Sequence, residues 1–413
     1  MKTGIARRCA CLACAVLLTP ALPVAAAGQS DPARRPSGQT PAQTPAAKPP
    51  RKAGPGGAVA GAEFDRLVKA ATEARQAERW EEAIDLFAKA VKLKPQYVEG
   101  YWYQGTAYYS LDNYTQCRDA FRKVLRLAPK NGAAYAFLGL CEFGLKDYDR
   151  SLQHMLESRI LGVGDTQDLA GVARYHAAIL MTRMEQYEQA LETLGEFASE
   201  GNDNPRVIEA MGIATLRMPM LPNETPPDRR EMVLMAGRAS HMMATRNTAS
   251  AGMAFDALAA RYPETPNVHY AYGVFLLQEQ PDRAIEEFKR ELEIQPSHPW
   301  SLMQIAFDYL KRGDGQAALP WAQQAAAAAP NAFPAHKALG QALLETGDLD
   351  GAVKELLIGI KIAPDSPGLH FTLARAYQRA GRLDEANRER DEFTRLDRLA
   401  RTQRSGAQSV GGR

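Results

Sequence analysis

An excess of charge of either sign is missing from this chain: 50 Lys and Arg stand against 48 Asp and Glu. No large positive field is present to draw in nucleic acid. Catalytic signatures are missing too. The sequence holds no HExxH, no GxSxG, no phosphate-cradling GxxxxGK[ST] and no strand–Gly-rich–helix unit. Cysteine is scarce, five in 413 residues. The seven histidines, His154, His176, His241, His269, His298, His336 and His370, are scattered. These absences predict no enzyme, no cofactor, no metal centre and no nucleic-acid partner.

The N-terminus is different from the rest. Met1-Lys2 and Arg7-Arg8 precede an apolar run from Cys9 to Ala27, and Ala25-Ala26-Ala27 offers a small-x-small cleavage site. Residues 1–27 read as a secretory signal peptide, so the protein is expected to be exported, periplasmic or secreted. An uncleaved anchor is the alternative, opposed by Pro20 and Pro23. After cleavage no stable membrane span is expected. Residues 28–62 are rich in Pro and Ala with no apolar periodicity, and are expected to be a disordered linker. Residues 401–413 are expected to be a disordered tail. Cleavage leaves Cys117 and Cys141, read as two buried free thiols, with a disulfide as the alternative.

What the chain does have is repetition. Pro95 and Pro129, then Pro296, Pro330 and Pro364, are spaced by 34 residues, with Pro263 one short of the step. A fixed period of this size marks a stacked-repeat protein. Within each period a small residue is followed twelve residues later by another: Ala71 and Ala83, Gly105 and Cys117, Gly139 and Ser151, Gly340 and Ala352. A large residue follows four positions on: Phe87, Phe121, Met155 and Leu356. Tyr101, Gly105 and Tyr108 share one helix face, as do Cys117, Phe121 and Val124 on a second helix. Gly273 to Ala284 is one residue short, which predicts a tighter turn there.

The run Tyr101…Gly105…Tyr108…Cys117…Phe121…Val124…Pro129, repeated as Leu339-Gly340…Leu343…Ala352…Leu356…Pro364, resembles the tetratricopeptide repeat (TPR) family. The resemblance covers roughly four-fifths of the chain. It implies an all-α, right-handed superhelical solenoid of antiparallel helix pairs. The expected organisation is a first block over 63–200, an irregular helix with a Pro-rich exposed loop over 201–230, and a second block with a capping helix over 231–400. A methionine cluster, Met211, Met218, Met220, Met232, Met235, Met242 and Met243, sits around that junction. It reads as gap-filling core, with Cu(I) ligation as the alternative.

In TPR proteins the first helix of each repeat lines a concave groove. The resemblance carries that role onto Trp102, Tyr109, Leu140, Phe143 and Tyr175 in the first block. In the second it falls on Tyr270, Trp300, Phe307, Lys337, Phe371 and Arg375. The lining is apolar and aromatic, suited to a protein or peptide ligand with apolar anchors. The expected function is a non-catalytic protein-binding adaptor or scaffold of the bacterial cell envelope. Alternatives are an accessory subunit that positions an envelope enzyme or export machine, and a glycan or metal carrier. The sequence leaves the partner and the oligomeric state open.

Overall fold

Helix starts follow local chemistry. The side chains of Asn131, Asp314 and Asp348 accept from the backbone N–H groups of Ala134, Ala317 and Gly351, satisfying donors that a first turn leaves free. Pro281, Pro299 and Pro367 occupy first turns, where the missing N–H costs nothing. The computed structural model describes residues 55–164 and 167–410, and these form 19 α-helices, two short 3₁₀ turns and no strand. They divide into two units between Leu180 and Met181.

The first unit holds α1 (Pro55–Gln76), α2 (Trp80–Leu93), α3 (Val98–Ser110), α4 (Tyr114–Leu127), α5 (Gly132–Gly144) and α6 (Tyr148–Leu161). The division runs through α7 (Gln167–Arg183). The second unit continues with α8 (Tyr187–Ser199), α9 (Pro205–Thr215), the 3₁₀ turns Pro222–Glu224 and Pro227–Arg229, α10 (Arg230–Ala244) and α11 (Thr248–Arg261). It ends with α12 (Val268–Leu276), α13 (Pro281–Ile294), α14 (Pro299–Lys311), α15 (Gly315–Ala328), α16 (Phe333–Thr346), α17 (Leu349–Ile362), α18 (Pro367–Arg379) and α19 (Leu383–Val410). Within each unit a first helix packs on its second, and that second helix packs on the next first helix. First helices also meet each other, α3 with α5, and α14 and α18 with α16. This is a solenoid of helix pairs.

The spacing of small and large residues has a specific cause. A Cβ placed on Gly105 would fall 2.6 Å from the Phe121 ring, and one on Gly340 would fall 2.6 Å from Leu356 Cγ. Gly139 meets Met155 and Gly273 meets Phe288 in the same way. The glycine therefore makes room for the large side chain, rather than simply for the small residue opposite. Phe121, Met155 and Phe288 are among the largest fully buried side chains as a result. Ser151 adds a bond across its pair, donating from Oγ to the Gly139 carbonyl at 2.7 Å.

The period also appears in the backbone. Glu78, Asp112 and Lys146 are left-handed at the hairpin turns, as are Gly313, Gly347 and Gly381. The pair α12–α13 has no left-handed residue in its connection. The missing residue is absorbed by an early end to α12 at Leu276, not by a tighter turn.

The prolines do more than stop helices. In the second unit His269, His336 and His370 each donate from Nε2 to the carbonyl of the proline six residues earlier, Pro263, Pro330 and Pro364, at 2.9 Å. Their Nδ1 atoms lie 2.6–2.8 Å from carboxylates on the paired second helix, Glu287, Glu355 and Glu389. Each latch ties a first helix to the turn before it and the helix after it. These buried histidines thus pack and bridge at once.

Four expectations need correction. Residues 55–62 are helical within α1, because Pro55 suits a first turn and Ala58, Ala60 and Ala62 favour helix. Residues 401–410 continue α19, where Arg401 pairs with Asp397 at 2.8 Å. The Pro-rich stretch after α9 is not simply exposed: Met218 and Leu221 are buried, and Met218 packs with Met232 and Val233. Cys117 and Cys141 form a disulfide between α4 and α5, with Cα atoms 5.9 Å apart. The expected signal peptide lies outside the described residues.

One junction breaks the repeat. α9 has no second helix of its own; the Pro-rich segment replaces it, and α9 packs against α10. A Cβ on Gly212 would fall 1.8 Å from the Val233 carbonyl oxygen, and one on Gly237 would fall 1.9 Å from that of Ile208. The two backbones touch. Thr215 and Ser240 exchange a hydroxyl hydrogen bond at 2.5 Å beside the contact.

Candidate binding faces

In the first unit the edges of Trp102 meet the rings of Phe121 and Phe137 at centroid distances of 5.3 and 5.5 Å. Tyr109 also reaches Phe137, at 6.0 Å. Trp102 and Tyr109 are half-buried, so one flank is core and the other is open. Phe143 and Tyr175 are joined through His176, at 4.8 and 5.6 Å. Leu140 is only 4% exposed and belongs to the core, so it is not accessible lining. Phe137 was not foreseen. It sits 34 residues after Tyr103, and the repeated aromatic at that step is the signal that marks it.

The second unit is organised differently. Arg217, left-handed at the end of α9, places its guanidinium 4.6 Å from the Tyr187 ring, 4.8 Å from Trp300 and 5.4 Å from Tyr270. It also pairs with Glu188 at 2.6 Å. Such stacking on three rings is cation–π attraction in a dry setting. Burial pushes the Tyr187 and Tyr270 hydroxyls up to about 12. His298 caps α14, its Nδ1 accepting from the Ser301 N–H. Burial first, and the Arg217 charge second, hold it down to about 4. Tyr270 is 7% exposed, so it supports this cluster and is not accessible lining.

Trp300 and Phe307 are half-buried, each with one flank in the core. Lys337 lies over Gly368. Phe371 is 48% exposed and leans on Phe393 at 5.4 Å, with Arg375 exposed on the same helix. Of the lining residues expected in this unit, Phe371 is therefore the open apolar one, while Arg217 fills the Tyr270–Trp300 end. Arg217 and Tyr187 were not foreseen, since Arg217 comes from the irregular stretch and Tyr187 stands on a second helix rather than a first.

Met211, Met218 and Met232 are buried, and Met220 and Met235 pack against the same core. Among the described residues no group of three or more His, Cys, Asp or Glu could hold a metal ion. Among them too, no helix is long and apolar enough to cross a membrane.

These features define a helix-pair repeat protein whose first helices present partly open aromatic side chains. Two family models described as tetratricopeptide repeat match residues 98–131, 237–299 and 304–367. The chain is a tetratricopeptide-repeat protein. Similar solved structures include MamA, residue 41 to the end, from Desulfovibrio magneticus RS-1. It is 20% identical with a TM-score of 0.38, covering 41% of this chain and 96% of that one. Yeast Tom70 is 12% identical with a TM-score of 0.33, covering 81% of this chain and 85% of that one. No curated protein matches the chain in sequence.

Proposed function

We propose that this chain is an exported, non-catalytic protein-binding adaptor of the bacterial cell envelope. One observation carries the binding role: side chains on first helices hold one flank in the core and leave the other open. Trp102, Tyr109, Phe143 and Tyr175 are half-buried in the first unit, as is Phe307 in the second, where Phe371 is exposed. Aromatic anchors of this kind suit an extended partner segment with apolar side chains. The Cys117–Cys141 disulfide supports export, since such bonds persist in oxidising compartments. The composition of residues 1–27 supports it too.

Phe371→Ala tests the face with least disturbance to the core. Recovery of the bound partner in a pull-down should fall about tenfold, while the melting temperature moves by less than about 2 °C. Trp102→Ala should lower both, because Trp102 also packs on Phe121. Unchanged recovery in both variants would overturn the assignment. N-terminal sequencing of the native protein should begin between about residues 24 and 30. A chain still beginning at Met1 would contradict export.

A further inference from the structure

The second helices of the first unit carry a charge pattern that the first-helix face does not use. α4 brings Arg122, Lys123 and Arg126, and α6 brings Arg150 and His154, to a cleft of about 800 Å³ floored by Tyr135 and Leu138 of α5. Asp119 is the only carboxylate residue lining it.

The cleft has a built floor. Glu142 is fully buried and holds two of the lining groups, Arg122 at 3.5 Å and His154 Nδ1 at 2.5 Å. His154 in turn lies against the Tyr135 ring at 5.8 Å. Asp119 is already engaged with Arg118 at 3.2 Å and Arg122 at 3.9 Å. Arg150 meets Asp147 at 3.5 Å. Lys123 and Arg126 have no carboxylate partner among the described residues; Lys123 rests 5.3 Å from the Tyr101 ring. The local charge is therefore positive and incompletely neutralised, although the whole chain is nearly neutral.

We propose that this cleft is a second binding site and takes an acidic peptide segment of a partner protein, with one apolar side chain seated on Tyr135. Guanidinium groups match carboxylates in pairs, which favours Asp or Glu at the ends of such a segment. The cations come from two helices on either side of an apolar floor. That arrangement fits charges set apart along an extended chain better than a single phosphate. A recessed floor also suits an inserted side chain better than a flat membrane surface. The site shares no residue with the first-helix face, so either can fail without the other.

The test uses the full chain and a short fluorescein-labelled peptide of glutamates flanking one leucine, read by fluorescence anisotropy. The peptide should bind at low salt and weaken as salt rises. Lys123→Glu combined with Arg126→Glu should weaken it at least about tenfold, because both side chains are exposed and neither has a carboxylate partner among the described residues. The melting temperature should hold. Replacing the leucine by glycine should weaken binding as well. No binding to the unaltered chain, or equal binding to the double variant, would overturn the proposal. So would displacement of the peptide by phosphatidylglycerol vesicles whose own binding is lost in the same variant, since that outcome assigns the cleft to a membrane.

Discussion

Adding one methyl group at the α9–α10 contact should damage the second unit more than the same change at any regular pair. A Cβ on Gly212 lands 1.8 Å from the Val233 carbonyl oxygen and 2.9 Å from the Gly237 nitrogen. Both neighbours are backbone, so no rotamer relieves the clash. Reaching an ordinary 3.4 Å requires the helices to part by about 1.6 Å. Overpacking typically costs 1–3 kcal/mol, and rigid backbone places this case at the upper end, about 3 kcal/mol. Loss of the Thr215–Ser240 bond adds about 1 kcal/mol. The better helix propensity of alanine returns about 1 kcal/mol. The net expectation for Gly212→Ala is a loss of about 3 kcal/mol. Gly340→Ala is the comparator, because its near neighbour is the flexible Leu356 side chain, and about 1 kcal/mol is expected there. Urea denaturation gives the two values, and hydrogen exchange should locate the Gly212→Ala damage in residues 181–410. A loss for Gly212→Ala no larger than for Gly340→Ala would refute the backbone-contact reasoning.

Three further outcomes are expected. Reducing the Cys117–Cys141 bond opens a loop whose ends are 24 residues apart, and should cost the first unit about 3.5 kcal/mol; equal urea midpoints for oxidised and reduced protein would contradict this. The hydrogen bond to Glu287 raises the pKa of His269 above its ordinary 6.5, so its stabilisation is complete below 6.5 and lost as pH rises through the folded value. His298 runs the other way, complete above 6.5 and lost as pH falls toward about 4. His298→Asn, which keeps a cap, should therefore remove an acid-side decline of up to roughly 3 kcal/mol, measured by urea titrations at several pH values. Lys146→Gly should stabilise the first unit by about 0.5–1 kcal/mol, since Lys146 is left-handed and glycine takes that conformation freely; thermal unfolding that showed a loss would contradict it.

The repeat was legible in the sequence because its causes are local or periodic. Two ladders of prolines with a 34-residue step, and a small residue sixteen before a buried Phe, Met or Leu, are properties of one chain read in order. The latch partners were not legible. Glu287, Glu355 and Glu389 look like solvent-facing acids on amphipathic helices until the fold brings each beside a histidine. Depth was hidden as well. Leu140 and Tyr270 occupy groove positions by register, yet both are buried, and Arg217 lies over the Tyr270 ring. The disulfide escaped for a related reason, because a buried cysteine and a paired one have the same pattern in sequence. The α9–α10 contact has glycines at 212 and 237, 25 residues apart, a spacing outside the period and so without meaning until the helices are packed.

Site-specific photo-crosslinking in living cells examines the binding role itself. A benzophenone side chain would replace Phe371 on a first helix, or Met253 on the second helix α11, which is 67% exposed and serves as the control. A protein-binding adaptor that works through its first helices should give discrete heavier bands from position 371 and none from position 253. Bands from 253 alone, or none from either position, would contradict a first-helix binding face.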